Sequence, residues 1–279
     1  MIKEKIAIIG AGNLGIAIAK GLVEKGLSSS DKITLTRRSM QPLSIMEANG
    51  FNVSNQNNKA VADAGIVVLC VQPSQLELLS VEIKPHLKSG QVVVSVITGI
   101  SIKKIEALLG SKAALIRAMP NTAVAIGESM TCISAVDQPK EIIAQVELLF
   151  GALGKTLVIN EELMQAATVL GASGVAFFMR YLRAATQGGI QMGFDAKDAQ
   201  LIAVQTAKGA ASLILEQESH PEVEIDKVTT PQGCTIAGLN EMEHKGFSSA
   251  LIQGIMTSFN LITNMTSIAG INKKVDGVI

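Results

Sequence analysis

Gly10, Gly12 and Gly15 stand at GxGxxG spacing, directly behind the apolar run Ile6–Ile9 and ahead of a segment in which Leu14, Ile18 and Leu22 share one helical face. A glycine turn between strand and helix suits anion chemistry. The first glycine permits the tight turn, the second lets the backbone approach a pyrophosphate, and the third lets helix and strand pack closely. The helix start then offers free N–H groups and a positive dipole end to phosphates. The spacing and context point to a dinucleotide; the plainer reading is that the glycines serve only the turn.

The second chemical feature lies just beyond the next apolar run, Ile33–Thr36. NAD-preferring folds place Asp or Glu there to bond the ribose hydroxyls. This chain has Arg37, Arg38 and Ser39. Two guanidiniums and a hydroxyl suit a 2′-phosphate, and one Arg–phosphate bond of roughly 1.5–3 kcal/mol corresponds to about a 10- to 100-fold preference for NADPH over NADH. NADH stays open, as does a pair of solvated surface arginines.

Two further segments carry turn chemistry. Arg117-Ala118-Met119-Pro120-Asn121-Thr122 ends an apolar run at 115–118, and ligands of open α/β sheets bind at the carboxyl ends of strands. The other is Val228-Thr229-Thr230-Pro231-Gln232-Gly233-Cys234-Thr235, a loop of mostly small residues running into a helix. Its N–H groups suit a carboxylate and the Thr235 hydroxyl can donate to a substrate atom. An ordinary capped helix start has the same composition.

The elements that must position these groups are read from periodicity. Short β-branched runs at 6–9, 33–36, 66–71, 92–97 and 115–118 alternate with helical patterns such as Leu76, Leu79, Ile83 and Ile102, Ile105, Leu109. Weaker runs at 131–135 and 156–159 flank a helical segment at 141–150. Residues 1–160 therefore read as an α/β domain, a mostly parallel, doubly wound sheet covered on both faces. Residues 161–279 read as all-helical, with helical pattern at 195–217, 235–245 and 248–268 and a loop at 219–222. Between Met164 and Gly193 the only charges are Arg180 and Arg183, which predicts a helix buried on most sides. This surplus of apolar helix suggests burial against another subunit, the other reading being a self-contained bundle.

Lys+Arg and Asp+Glu are 24 each and Trp is absent, which argues against phosphate-neutralising or base-stacking contact with nucleic acid. Cys70, Cys132 and Cys234 form no CxxC pair, pointing to a reducing cytoplasm. His86, His220 and His244 are scattered, so no metal site is expected. No targeting segment is visible. The uncharged stretch from Leu251 to Gly270 is interrupted by Gln253, Ser258, Asn260, Thr263 and Asn264, and it reads as a buried or partner-facing helix rather than a membrane span.

Taken together, the sequence resembles pyrroline-5-carboxylate reductase. The resemblance rests on Ile8-Ile9-Gly10-Ala11-Gly12-Asn13-Leu14-Gly15, on residues 117–122, on Gly188-Gly189-Ile190-Gln191-Met192-Gly193, and most specifically on residues 228–239 with Glu243, Gly246 and Phe247. It implies a Rossmann domain followed by a helical dimerisation domain, a homodimer, and in some members larger rings of dimers. It also implies NAD(P)H-dependent reduction of 1-pyrroline-5-carboxylate to L-proline in proline biosynthesis. By position, Asn13 and Leu14 join the glycine turn, Asn57 approaches the adenosine side, Val71 and Pro73 flank the cofactor, and Met119, Pro120 and Asn121 line the nicotinamide side. Gly233, Cys234 and Thr235 hold the substrate carboxylate through backbone N–H groups, with the Thr235 hydroxyl as the catalytic group near the ring nitrogen. The chain departs from the family pattern at Gln72 (usually Lys), Ala123 (Pro), Val175 and Phe177 (Pro and Tyr) and Gln232 (Gly). A β-hydroxyacid dehydrogenase would use a helical Lys, and none lies between Met164 and Ala196. A reductase of another cyclic imine and a non-catalytic nucleotide-binding protein remain as alternatives.

Overall fold

The computed structural model describes residues 2–275, with side chains up to residue 264. The end of the uncharged stretch at 251–270 therefore lies outside the described side chains. The chain divides into two compact units, one running up to Ser173 and resuming at Phe259, the other Gly174–Ser258.

In the first unit, β1 (Ile6–Ile9), β2 (Ile33–Thr36), β3 (Asn52–Ser54), β4 (Ile66–Leu69), β5 (Val92–Ser95), β6 (Ala114–Met119), β7 (Ser129–Ala135) and β8 (Gly154–Val158) form one sheet in the order β3-β2-β1-β4-β5-β6-β7-β8. All neighbours are parallel except β6 and β7. Between them run α1 (Asn13–Glu24), α2 (Ser44–Ala48), α3 (Asn57–Asp63), α4 (Leu76–Ile83), α5 (Ile102–Leu109) and α6 (Lys140–Gly151). β1 shows why both faces are covered. Ile6 and Ile8 enter one core with Ile18, Leu22 and Phe150, while Ala7 and Ile9 enter the other with Leu69, Leu76 and Leu79. Side chains alternate across a strand, so a strand apolar at every position needs helices on both sides.

Strand order reverses between β1 and β4. Crossovers leave the two strand ends in opposite directions there, which opens a crevice beyond Ile9 and Leu69. β3 escapes the periodicity because Asn52 and Ser54 flank a single Val53; it is the polar edge of the sheet.

β6 is anchored by charge. Arg117, 4% exposed, meets Glu161 at Nη1–Oε1 3.1 Å. The same carboxylate oxygen accepts from the Ile102 N–H at 2.6 Å, at the start of α5. One anion thus serves a helix N-terminus and a buried guanidinium, whose pKa burial lowers and Glu161 supports.

Beyond β8 lie α7 (Met164–Ala167), a π-helical turn at Thr168–Ser173, α8 (Gly174–Gln191), α9 (Ala196–Gln217), α10 (Pro221–Val228), α11 (Cys234–His244) and α12 (Phe247–Val275). The loop expected at 219–222 is shorter than predicted. His220 caps α10 by accepting from the Glu222 N–H at 3.2 Å, so Pro221 and Glu222 are already helical. α8 and α9 form a hairpin so close that a Cβ on Gly189 would sit 2.8 Å from that of Ala199. The expectation of a helix buried on most sides is corrected within the single chain. Of α8 only Gly189 is fully buried, and Phe178, Met179 and Tyr181 are exposed, because α9 covers only the face that carries Gly189. Among the described residues, Glu161–Gln191 is the one helical run long and apolar enough to cross a membrane by composition.

Glu161→Ala is expected to lower unfolding free energy in urea by about 3 kcal/mol, because a buried guanidinium loses its partner. Arg117→Met combined with Glu161→Gln should recover most of that loss. A loss under about 1 kcal/mol for Glu161→Ala would reduce the pair to surface character.

Candidate functional site

The crevice at the β1/β4 switch point has a volume of about 620 Å³, within the range of cofactor clefts. Gly10 closes its floor at φ +85°, a conformation that L side chains rarely adopt. A Cβ there would stand 2.6 Å from Val71 Cγ1 and 3.1 Å from the Val71 nitrogen. The turn is pinned by Thr36, whose carbonyl accepts from the Gly10 and Ala11 N–H groups at 3.1 and 2.8 Å. Gly12 is the N-cap of α1 with no side-chain cap, and only the Gly10 carbonyl, at 4.0 Å, faces its missing Cβ. Gly15 would bring a Cβ within 2.9 Å of Ile8 Cγ2, so helix and strand touch there. Unfilled space, uncapped helix N–H groups and a backbone held open fit a pyrophosphate.

Of the residues expected to hold the cofactor, Gly10, Gly12, Asn13, Leu14, Gly15, Arg37, Arg38, Ser39, Asn57 and Val71 line this crevice together. Arg37 is half-buried, while Arg38 and Ser39 are exposed. Pro73 lies outside the lining, at the start of a short 3-10 turn. Met119 and Asn121 also lie outside it. Met119 packs with Cys132 and Met164. Asn121 accepts from the Ala123 N–H at 2.9 Å and donates through Nδ2 to the Gly171 carbonyl of the π turn at 3.0 Å, so both ends of its amide are engaged.

Cys70, Thr36 and Glu82 are among the lining residues that the expected cofactor set did not include. Cys70 lines the crevice, and burial pushes its thiol up to about 12, so it stays protonated at neutral pH. Thr36, fully buried, donates its hydroxyl to Asn57 Oδ1 at 2.7 Å. Asn57 Nδ2 in turn donates to Glu82 Oε2 at 3.0 Å. Glu82 comes from α4, far from the glycine motif in sequence, so no spacing signal could have found it.

The loop expected to hold a carboxylate lies in the second unit. Thr230, Pro231, Gln232 and Gly233 form a turn closed by the Gly233 N–H donating to the Thr230 carbonyl at 2.9 Å. Pro231 takes its second position. Gln232 takes the third at φ +59°, where glycine is favoured. A Cβ on Gly233 would collide with Thr230 Oγ1 and crowd the Thr230 carbonyl at 3.0 Å, so a side chain there would require the Thr230 side chain to turn away. Gly233 then caps α11 without a side chain. The first-turn N–H groups of Cys234 and Thr235 have no acceptor among the described residues, and Thr235 is half-buried. Among the described residues no cluster of His, Cys, Asp or Glu is arranged to hold a metal.

Comparison with known proteins decides the lineage. Residues 161–265 match the model described as pyrroline-5-carboxylate reductase dimerisation, and residues 5–99 the model described as NADP oxidoreductase coenzyme F420-dependent. A Dictyostelium discoideum protein named pyrroline-5-carboxylate reductase 2 is 43% identical, over 91% of this chain and 91% of that one. The chain belongs to the pyrroline-5-carboxylate reductase family. A second relative from that organism, pyrroline-5-carboxylate reductase 1, is 48% identical over 91% of this chain, which spans about half (48%) of that longer protein. The solved pyrroline-5-carboxylate reductase of Coxiella burnetii superposes with a TM-score of 0.87 at 27% identity, covering 94% of this chain and 98% of that one. Family membership accounts for the helical segment as a dimerisation domain.

Gln232→Gly is expected to stabilise the chain by up to about 1 kcal/mol by removing the cost of a left-handed L residue. Thermal unfolding checks this; a lowered midpoint would mean that the glutamine side chain makes a compensating contact.

Proposed function

We propose that this chain is an NAD(P)H-dependent reductase that converts 1-pyrroline-5-carboxylate to L-proline, the closing step of proline biosynthesis. The observation that carries the reading is membership of the reductase family joined to a crevice whose glycine turn fits a pyrophosphate. When bound, the nicotinamide cofactor supplies the hydride; the protein supplies orientation and electrostatics. Asn13 and Leu14 continue the glycine turn, and Val71 flanks it. Arg37, Arg38 and Ser39, at the end of β2, favour NADPH through a 2′-phosphate, with NADH also accepted. Pro73, Met119 and Asn121 lie outside the crevice lining, and their roles near the cofactor and the nicotinamide rest on the family resemblance alone.

On the substrate side, the N–H groups of Gly233, Cys234 and Thr235 grip the carboxylate at the start of α11. Holding that group fixes the ring and directs its imine carbon, which is catalysis by proximity. The imine nitrogen arrives protonated, so the carbon is already electrophilic. The Thr235 hydroxyl positions that nitrogen and steadies it as its charge is lost. No histidine acid is needed.

The working unit is a homodimer. The exposed Phe178, Met179, Tyr181, Leu201, Leu251 and Ile252 support this, since such a surplus of apolar helix surface calls for a partner. Assembly into rings of dimers extends the same reading, as do a cytoplasmic location, consistent with three unpaired cysteines, and a division of labour at residues 160/161. Nucleic acid and membrane have no part in it.

The deciding assay follows NADPH oxidation with pyrroline-5-carboxylate beside a six-membered cyclic imine, with proline identified as product. Turnover should be fastest with the five-membered substrate. Thr235→Ala should lower kcat by about 10²–10³, the usual loss for one preorganised donor. Unchanged turnover at saturation would remove Thr235 from the chemistry, and faster turnover of the larger ring would favour a different cyclic-imine reductase.

A further inference from the structure

The end of β2 lacks the acid that NAD-preferring folds place there, yet the crevice is not without one. Glu82 reaches its lining from α4. It is joined to the β2 end by two hydrogen bonds, Thr36 Oγ1 to Asn57 Oδ1 at 2.7 Å and Asn57 Nδ2 to Glu82 Oε2 at 3.0 Å. Thr36 is also the residue whose carbonyl pins the glycine turn. The chain of bonds fixes the Asn57 amide with its oxygen toward Thr36 and its nitrogen toward Glu82. Glu82 Oε1 has no protein partner among the described residues, and no ion pair there joins Glu82 to Arg37 or Arg38. The crevice lining thus includes an exposed carboxylate, outside any ion pair among the described residues, whose Oε1 is open to accept, alongside two guanidiniums.

We propose that Glu82 is a specificity-determining residue for the dinucleotide, standing in from α4 for the acid missing at the end of β2. Its carboxylate accepts from a ribose hydroxyl where the 2′ position is free and repels a 2′-phosphate. It therefore opposes Arg37 and Arg38 and keeps the crevice open to both NADH and NADPH. The inference rests on reading the crevice as the dinucleotide site, and its test needs no turnover.

The probes are ADP-ribose and 2′-phospho-ADP-ribose, which differ only in the 2′-phosphate, titrated calorimetrically into the full chain. Glu82→Gln keeps an acceptor for Asn57 Nδ2 and removes the charge. A hydrogen bond to a charged group exceeds a neutral one by enough that the variant should shift the ratio of the two affinities by about tenfold toward 2′-phospho-ADP-ribose. Binding of ADP-ribose should weaken, and that of its phosphorylated form should tighten. Glu82→Asp should keep the wild-type direction of preference. If Glu82 served only to hold Asn57, Glu82→Gln would leave both affinities unchanged or move them together, and either result overturns the proposal. If neither probe bound the wild-type chain, the crevice reading would fall with it. Binding of both probes with the expected shift, but no reduction of pyrroline-5-carboxylate, would sink the proposed reaction and leave the role of Glu82 standing.

Discussion

The structure turns on the close approach between Gly10 and the strand beside it. With Val71 Cγ1 only 2.6 Å from where a Cβ would be, the chain leaves β1 by a left-handed turn that no side chain can share. Thr36 holds that turn by accepting two backbone N–H groups, and so couples the glycine-turn end of the crevice to the end of β2. Because β1 lies between β2 and β4, one glycine fixes how both neighbours meet the ligand space. Arg37 and Arg38 come directly after Thr36, so the two guanidiniums in the crevice lining hang from the residue that pins the glycine turn.

The same coupling explains why charge is sparse but placed with consequence. Glu161 joins the start of α5 to Arg117 in β6. Glu82 joins α4 to Asn57 at the start of α3. Each is a carboxylate brought by the fold to a place where the local sequence has none. The helical unit uses apolar surface instead. Its α8–α9 hairpin closes over Gly189, and many of its large apolar side chains stay exposed in the single chain, as suits a dimerisation domain.

Much of this was legible from sequence because it is written in local terms. β1 and β2 are bounded where their β-branched runs predict, and Ile18 and Leu22 of α1, Leu79 of α4 and Ile105 of α5 face the cores their spacing assigns. The glycine turn, the Arg pair and Asn57 meet in one crevice. What escaped is written in three dimensions or in missing signals. β3 carries too few β-branched residues to register, Glu82 is delivered by a helix packed elsewhere on the sheet, and the antiparallel β6–β7 pair results from a turn capped by Asn121. α8 is exposed within the single chain because apolar periodicity tells that a face must be covered, not which chain covers it. Gln232 shows the reverse case. A departure visible in sequence acquires its physical meaning, a left-handed glutamine, only from the backbone.

The claim that most depends on this geometry is that the Gly10 turn is the seat of the dinucleotide. NADPH binding to the wild-type chain and to Gly10→Ala, measured by fluorescence titration alongside far-ultraviolet circular dichroism, tests it most directly. The account predicts a folded variant whose NADPH affinity falls by about 100-fold or more, since both the positive φ and the contact with Val71 forbid the methyl group unless the turn moves. A folded variant that binds NADPH within about threefold of wild type, a difference of under 1 kcal/mol, would contradict it and move the cofactor elsewhere.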